Sequence, residues 1–189
     1  YLYNFEAKIT NIETALHIKR AAQKYLEPNL VELCSEFVKK NINPDNLCVV
    51  LDFLTAGHEP MSEYNDTIDN ILQTKTAQVL DSDTFLLASE STIFEILRRE
   101  KGISEYLLLW SIYAWALANC SGVTDAMSDK LLQTSMKPFL SEIKLLSLTP
   151  EEFVEGPVAW KIFTVDEAYC ILCNIVQRGS MPLPEFCKA

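Results

Sequence analysis

Apolar residues recur along this chain at intervals of three and four, the spacing of one face of an α-helix, and strand-like alternation is almost absent. Alternation occurs only at the start, where Tyr1, Tyr3 and Phe5 make an extended run too short to form a sheet alone. Thr10 followed by Glu13 predicts a capping box, opening a helix with Ile12, Ala15, Leu16, Ala22, Tyr25 and Leu26 on one face. Pro28 starts a second helix, whose Leu30, Leu33, Cys34, Phe37 and Val38 sit at i, i+3, i+4, i+7 and i+8. Asn43 and Pro44 supply a cap and first-turn proline for a third, with Leu47, Val50, Leu51 and Leu54 inward and Gly57 ending it. The second and third helices are expected to form a tight antiparallel hairpin. A fourth helix from about Pro60 to Leu72 carries Met61, Tyr64, Ile68 and Leu72, and a short helical piece follows around Asp83 to Ala88.

Ser89 or Ser91 caps a helix bearing Ile93, Ile96 and Leu97, Lys101 and Gly102 break it, and Ser104 caps the next. That next helix is apolar on almost every face from Tyr106 to Leu117, including Trp110, Ile112, Tyr113 and Trp115, so it is expected to be surrounded by other helices. A helix from about Asp125 to Lys137 is ended by Pro138, and Phe139, Leu140, Ile143 and Leu146 continue in another short one. Thr149 with Pro150 and Glu152, and Thr164 with Glu167, are two further helix starts, the second leading into Ala168, Tyr169, Ile171, Leu172, Ile175 and Val176. Beyond Gly179, Pro182 and Pro184 forbid a helix, and residues 179–189 read as a linker or tail. The pattern predicts an all-α fold, a bundle of antiparallel helical hairpins around a central apolar helix, with a short N-terminal extended segment.

Composition narrows the class. With 49% hydrophobic residues in 189, a substantial core is expected. The longest apolar stretch, Tyr106 to Ala118, falls short of the roughly 20 residues that span a bilayer. The sequence opens on Tyr1 without a charged n-region and reads as a piece of a longer protein. Sixteen basic against 26 acidic residues give a net charge of -10, which repels a phosphate backbone, and the pairs Lys39-Lys40 and Arg98-Arg99 suit helix C-termini. Neither nucleic acid nor membrane is expected as a partner. The six cysteines, mostly on apolar helical positions, read as free thiols in a reducing interior, cytoplasmic or nuclear.

Catalytic chemistry finds little material. His17 and His58 are the only histidines, and neither lies in a motif. Cys170 and Cys173 form a C-x-x-C within a helix, without the second pair or histidine that would complete a tetrahedral set. Five scattered glycines build no phosphate loop, and Glu151-Glu152 is explained by a helix first turn. The expectation is a non-enzymatic binding module with no metal and no cofactor.

Several stretches, in order, resemble the BTB-BACK family, in particular its members without Kelch repeats. Tyr1-Leu2-Tyr3 followed by Ala15 to Leu26 is similar to the end of a BTB domain, and Pro28-Asn29-Leu30-Val31-Glu32-Leu33-Cys34 to the segment after it. Asn43 to Cys48, Ser82-Asp83-Thr84-Phe85, Leu148 to Phe153 and Gly156-Pro157-Val158 resemble steps of the BACK region, whereas Leu107 to Ser111 is more apolar than the family pattern.

The resemblance implies three parts: the C-terminal end of a BTB domain at 1–27, a 3-box and BACK helical domain at 28–178, and the tail at 179–189. It further implies a substrate adaptor of a cullin-3 RING ubiquitin ligase, in which the hairpin from Pro28 to Ala56 offers a groove to the cullin-3 N-terminal region. The groove candidates are Leu33, Phe37, Leu47, Val50, Leu51 and Leu54, although for any one of them the favoured reading is that it only holds the hairpin together. Self-association would run through the rest of the BTB domain, and a substrate protein would be held elsewhere. The alternative is a BTB-BACK scaffold for self-association or transcription-related assembly without cullin binding.

Overall fold

A computed structural model of the protein describes residues 9–58, 61–120 and 125–187, and among them finds eleven α-helices, short turns and no strand. The all-α class expected from periodicity is the observed one. The N-terminal run Tyr1, Tyr3, Phe5 lies outside the described residues, as does Pro60. The chain falls into two compact units, Tyr1–Glu95 with Arg99–Gly102, and Ile96–Arg98 with Ile103–Ala189.

In the first unit α1 (Ile12–Lys24) starts one residue later than the Thr10 box predicts. Asn11 is the cap, its side chain accepting from the Thr14 N–H at 2.8 Å. Asn is among the strongest N-caps, and from this position it places Ile12, Ala15, Leu16 and Ala22 in the core. The stripe stops there. Leu26 takes a left-handed φ of 57°, which turns the chain and leaves it 86% exposed beside an exposed Tyr25. α2 (Pro28–Asn41) runs back along α1 and buries Cys34, Ser35 and Val38.

The main partner of α2 is α1, not α3 (Leu47–Phe53). The reason lies in the connection. Asn43 forms a side-chain turn, its Oδ1 accepting from the N–H groups of Asp45 (2.9 Å) and Asn46 (3.3 Å), so the third helix begins only at Leu47. α3 then packs on α1 and on α6 (Asp83–Leu86), which Ser82 caps. Gly57, at φ 77°, closes the wide turn Leu54–His58, as its place after the helix predicts.

The expected fourth helix breaks into a 3-10 turn, Met61–Glu63, and α4 (Asn65–Thr74), followed by α5 (Thr76–Leu80). Ser89 caps α7 (Glu90–Arg98) through the Thr92 N–H at 3.3 Å, and Asp52 holds Ser89 in turn. Gly102 approaches the end of α4 so closely that a Cβ would lie 2.0 Å from the Gln73 carbonyl oxygen. Its own N–H donates to the Leu72 carbonyl at 3.2 Å.

In the second unit α8 (Glu105–Cys120) buries Leu108, Leu109, Ile112, Trp115 and Ala116. It is not surrounded as expected: Leu107, Trp110 and Leu117 are exposed, Trp110 to 48%. α9 (Asp125–Leu140) packs on α8, with Trp115 edge-on to Phe139 at 5.4 Å. α9 also runs past Pro138, against expectation. An internal proline costs about 3 kcal/mol, but completing the turn buries Phe139 and Leu140, each worth about 1.5–3 kcal/mol. A 3-10 turn, Leu145–Ser147, replaces the short helix expected after it.

Both threonine capping boxes are present. Thr149 and Glu152 open α10 (Pro150–Phe153), and Thr164 and Glu167 open α11 (Val165–Val176), each hydroxyl accepting from the N3 N–H and each carboxylate from the cap N–H. Only Ile171 and Asn174 of α11 are buried, so most of its predicted stripe is not core. Asn174 instead clasps the following segment, donating to the Met181 carbonyl at 2.8 Å and accepting from the Gly179 N–H at 2.9 Å. Phe186 stacks on Phe163 at 5.8 Å and Cys187 is buried. Residues 179–187 pack within this unit.

Candidate interaction surface

The α1–α2 pair carries the most unusual polar arrangement of the first unit. Lys19 stands at i+3 from Leu16 and i+4 from Ala15, in phase with the core stripe, and is 1% exposed. A buried ammonium needs partners. Its Nζ donates to Glu63 Oε2 at 2.5 Å and to the Tyr64 hydroxyl at 2.7 Å, and lies 4.9 Å from the Tyr64 ring centre. Lys39 reaches the other Glu63 oxygen at 3.7 Å. Burial pushes the Glu63 carboxyl up, but hydrogen bonds from Lys19 and Ser35 and the charges of both lysines outweigh it and hold the group below its ordinary range. Burial raises the Tyr64 phenol despite Lys19.

Lys19, Lys39 and Glu63 of this cluster line an open groove of about 810 Å3 between the two helices. Ala22, Leu26, Pro28 and Val31 give it an apolar floor and lip, and Glu27, Glu32 and Glu36 stand around it. On the other side of α2, Phe37 lines a smaller hollow with Ile12, Asn41 and Val49.

The structure sorts the six groove candidates. Leu47, Val50, Leu51 and Leu54 are interior, so they hold the first unit together and present nothing to a partner. Leu33, 43% exposed, and Phe37, half-buried, lie one turn apart on α2 and are accessible. Sequence periodicity placed all six on apolar faces. It missed Lys19, whose signal was a lysine in register with Ile12, Ala15, Leu16 and Ala22.

Little else in the described residues carries chemistry. His17 is exposed and edge-on to Phe53 at 5.5 Å, and the His58 side chain lies outside the described residues. The six cysteines are free, and burial pushes the Cys48 thiol up to about 12 and raises Cys34 and Cys187, which keeps these three protonated at neutral pH. No group of three or more His, Cys, Asp or Glu side chains that could hold a metal occurs among the described residues, and no helix among them is long and apolar enough to cross a membrane. Arg99 is structural: it bonds Asp69 at 2.5 Å, Glu95 at 2.6 Å and Asn65 at 3.0 Å, tying α7 to α4. In the second unit Tyr113 stacks on Trp160 at 4.4 Å, and Trp110 meets the same ring edge-on at 5.2 Å.

No family model and no solved structure matches the chain. Curated relatives do. BTB/POZ domain-containing protein 6-A of Danio rerio is 26% identical over 172 residues, 90% of this chain and 31% of the relative. BTB/POZ domain-containing protein 6 of Homo sapiens is 24% identical over the same share, and the human BTB/POZ domain-containing protein 3 is 24% identical over 88% of this chain and 32% of its own length. The chain thus spans about a third of the length of these relatives. Over about nine-tenths of its own length, this all-helical chain is similar to BTB/POZ domain-containing proteins.

Proposed function

We propose that this chain is a non-enzymatic protein-interaction module, the end of a BTB domain followed by 3-box and BACK helices, and that its parent protein is a substrate adaptor of a cullin-3 RING ubiquitin ligase. The observation that carries the reading is the similarity to BTB/POZ domain-containing proteins along nine-tenths of the chain. The pair of exposed Leu33 and half-buried Phe37 on α2 supports it physically, because accessible apolar residues one turn apart on a helix are what a docking peptide grips. Leu47, Val50, Leu51 and Leu54, buried in the first unit, form the core that supports this helix.

Hydrogen exchange of the parent protein, with and without the cullin-3 N-terminal region, tests the proposal. The expected result is slowed exchange confined to residues 28–56 and to the BTB domain. Unchanged exchange across 28–56 at saturating cullin would overturn it.

A further inference from the structure

We infer that the groove between α1 and α2 is a docking site for a cationic amphipathic helix. The inference goes beyond the cullin reading and stands on different residues, since Leu33 and Phe37 do not line this groove. Two packed helices leave a furrow into which the side-chain ridge of a third can settle. Here the furrow has an apolar bed of Ala22, Pro28 and Val31, with Leu26 held up at its mouth by the left-handed turn. A leucine 86% exposed on a backbone conformation unfavourable to it is explained if a partner covers it.

Charge selects the partner. Four carboxylates, Glu27, Glu32, Glu36 and Glu63, face two ammoniums, Lys19 and Lys39, and both ammoniums are engaged by Glu63. Glu36 has only an exposed contact to Lys40 at 4.0 Å, and Glu27 and Glu32 make no ion pair among the described residues. An apolar bed beside two unpaired acids, Glu27 and Glu32, and the weakly paired Glu36 fits a helix whose leucine ridge is flanked by Lys or Arg, and repels an acidic one.

The test is fluorescence anisotropy with the full chain and two labelled helical peptides of about 18 residues, long enough to lie along either helix. They share one leucine ridge, flanked by lysine in the first and glutamate in the second. The lysine peptide is expected to bind at least tenfold more tightly. The variant Glu27→Gln/Glu32→Gln/Glu36→Gln is expected to weaken it roughly tenfold, three surface pairs being lost. Val31→Asp, which spoils the bed, is expected to weaken both peptides. Equal binding of the two peptides would overturn the inference. So would an equal loss in a control that removes three carboxylates elsewhere, Asp81→Asn/Glu100→Gln/Glu155→Gln, because the attraction would then be the general charge of the chain. Unchanged circular dichroism in each variant separates lost binding from lost fold, and cullin binding is expected to survive the triple glutamine change.

Discussion

Replacing Lys19 by methionine keeps the length and most of the volume of the side chain while removing the ammonium. In the folded chain this takes the Lys19 donor from the buried Tyr64 hydroxyl, which keeps Ser35 as a partner, and removes the shortest ion pair of Glu63. Removing one partner of a fully buried pair costs about 3–5 kcal/mol. That figure overstates the present case, because the Glu63 side chain is 26% exposed and keeps Lys39 at 3.7 Å. Discounting for this and for the apolar gain of methionine leaves an expected loss of about 2–3 kcal/mol. The assay is urea unfolding followed by far-UV circular dichroism, with hydrogen exchange at α1 and α2 to place the loss. Tryptophan fluorescence reports the other unit, since Trp110, Trp115 and Trp160 all lie there. The double variant Lys19→Met/Glu63→Gln, which no longer strands a charge, is expected to be more stable than Lys19→Met alone by about 1 kcal/mol or more. A loss below about 0.5 kcal/mol for Lys19→Met, or strict additivity in the double variant, would refute the view that this cluster ties α1 to the turn before α4.

Further outcomes follow from individual contacts. The Glu63 carboxyl is held below its ordinary 4.5, so its contribution to stability is complete above that pH and is lost as pH falls through the lowered folded-state value; Glu63→Gln should flatten the acid limb of a stability–pH curve. Thr164→Ala removes the hydroxyl that accepts from the Glu167 N–H at 3.3 Å, and a loss of about 1 kcal/mol is expected in thermal unfolding. Gly102→Ala drives a methyl into the Gln73 carbonyl and should cost at least about 1–3 kcal/mol, read from the urea midpoint. Leu51→Asp should unfold the first unit by burying a charge, whereas Leu33→Asp should shift stability by less than about 1 kcal/mol; circular dichroism distinguishes the two.

Helix existence was largely legible in the sequence, because caps and periodicity are local. Thr149 and Thr164 announced their boxes, and Gly57 its turn, since each depends on residues three or four positions away. The departures have different causes: the side chains of Asn11 and Asn43 moved two helix starts through local hydrogen bonds, and elsewhere burial or exposure ran against a local rule. Nothing in the sequence marks Leu26 as left-handed, Pro138 yielded to the burial of Phe139 and Leu140, and the apolar α8 kept one face exposed. The interaction surface was legible only in part. Periodicity assigns a residue to an apolar face but does not say whether that face meets the core or a partner, which is why Leu33 and Leu51 looked alike. Likewise, lysine composition reads as surface, so Lys19 gained meaning only when Glu63 and Tyr64 were brought to it from more than forty residues away.

The central claim, an interaction module of a cullin-linked BTB protein that docks through the exposed side of α2, is tested most directly by calorimetric titration of the parent protein, BTB domain included, with the cullin-3 N-terminal region. The account predicts saturable binding, weakened at least tenfold by Leu33→Asp or Phe37→Asp while the circular dichroism spectrum is unchanged. No measurable heat at saturating cullin, from a parent protein that is folded and self-associated, would contradict it.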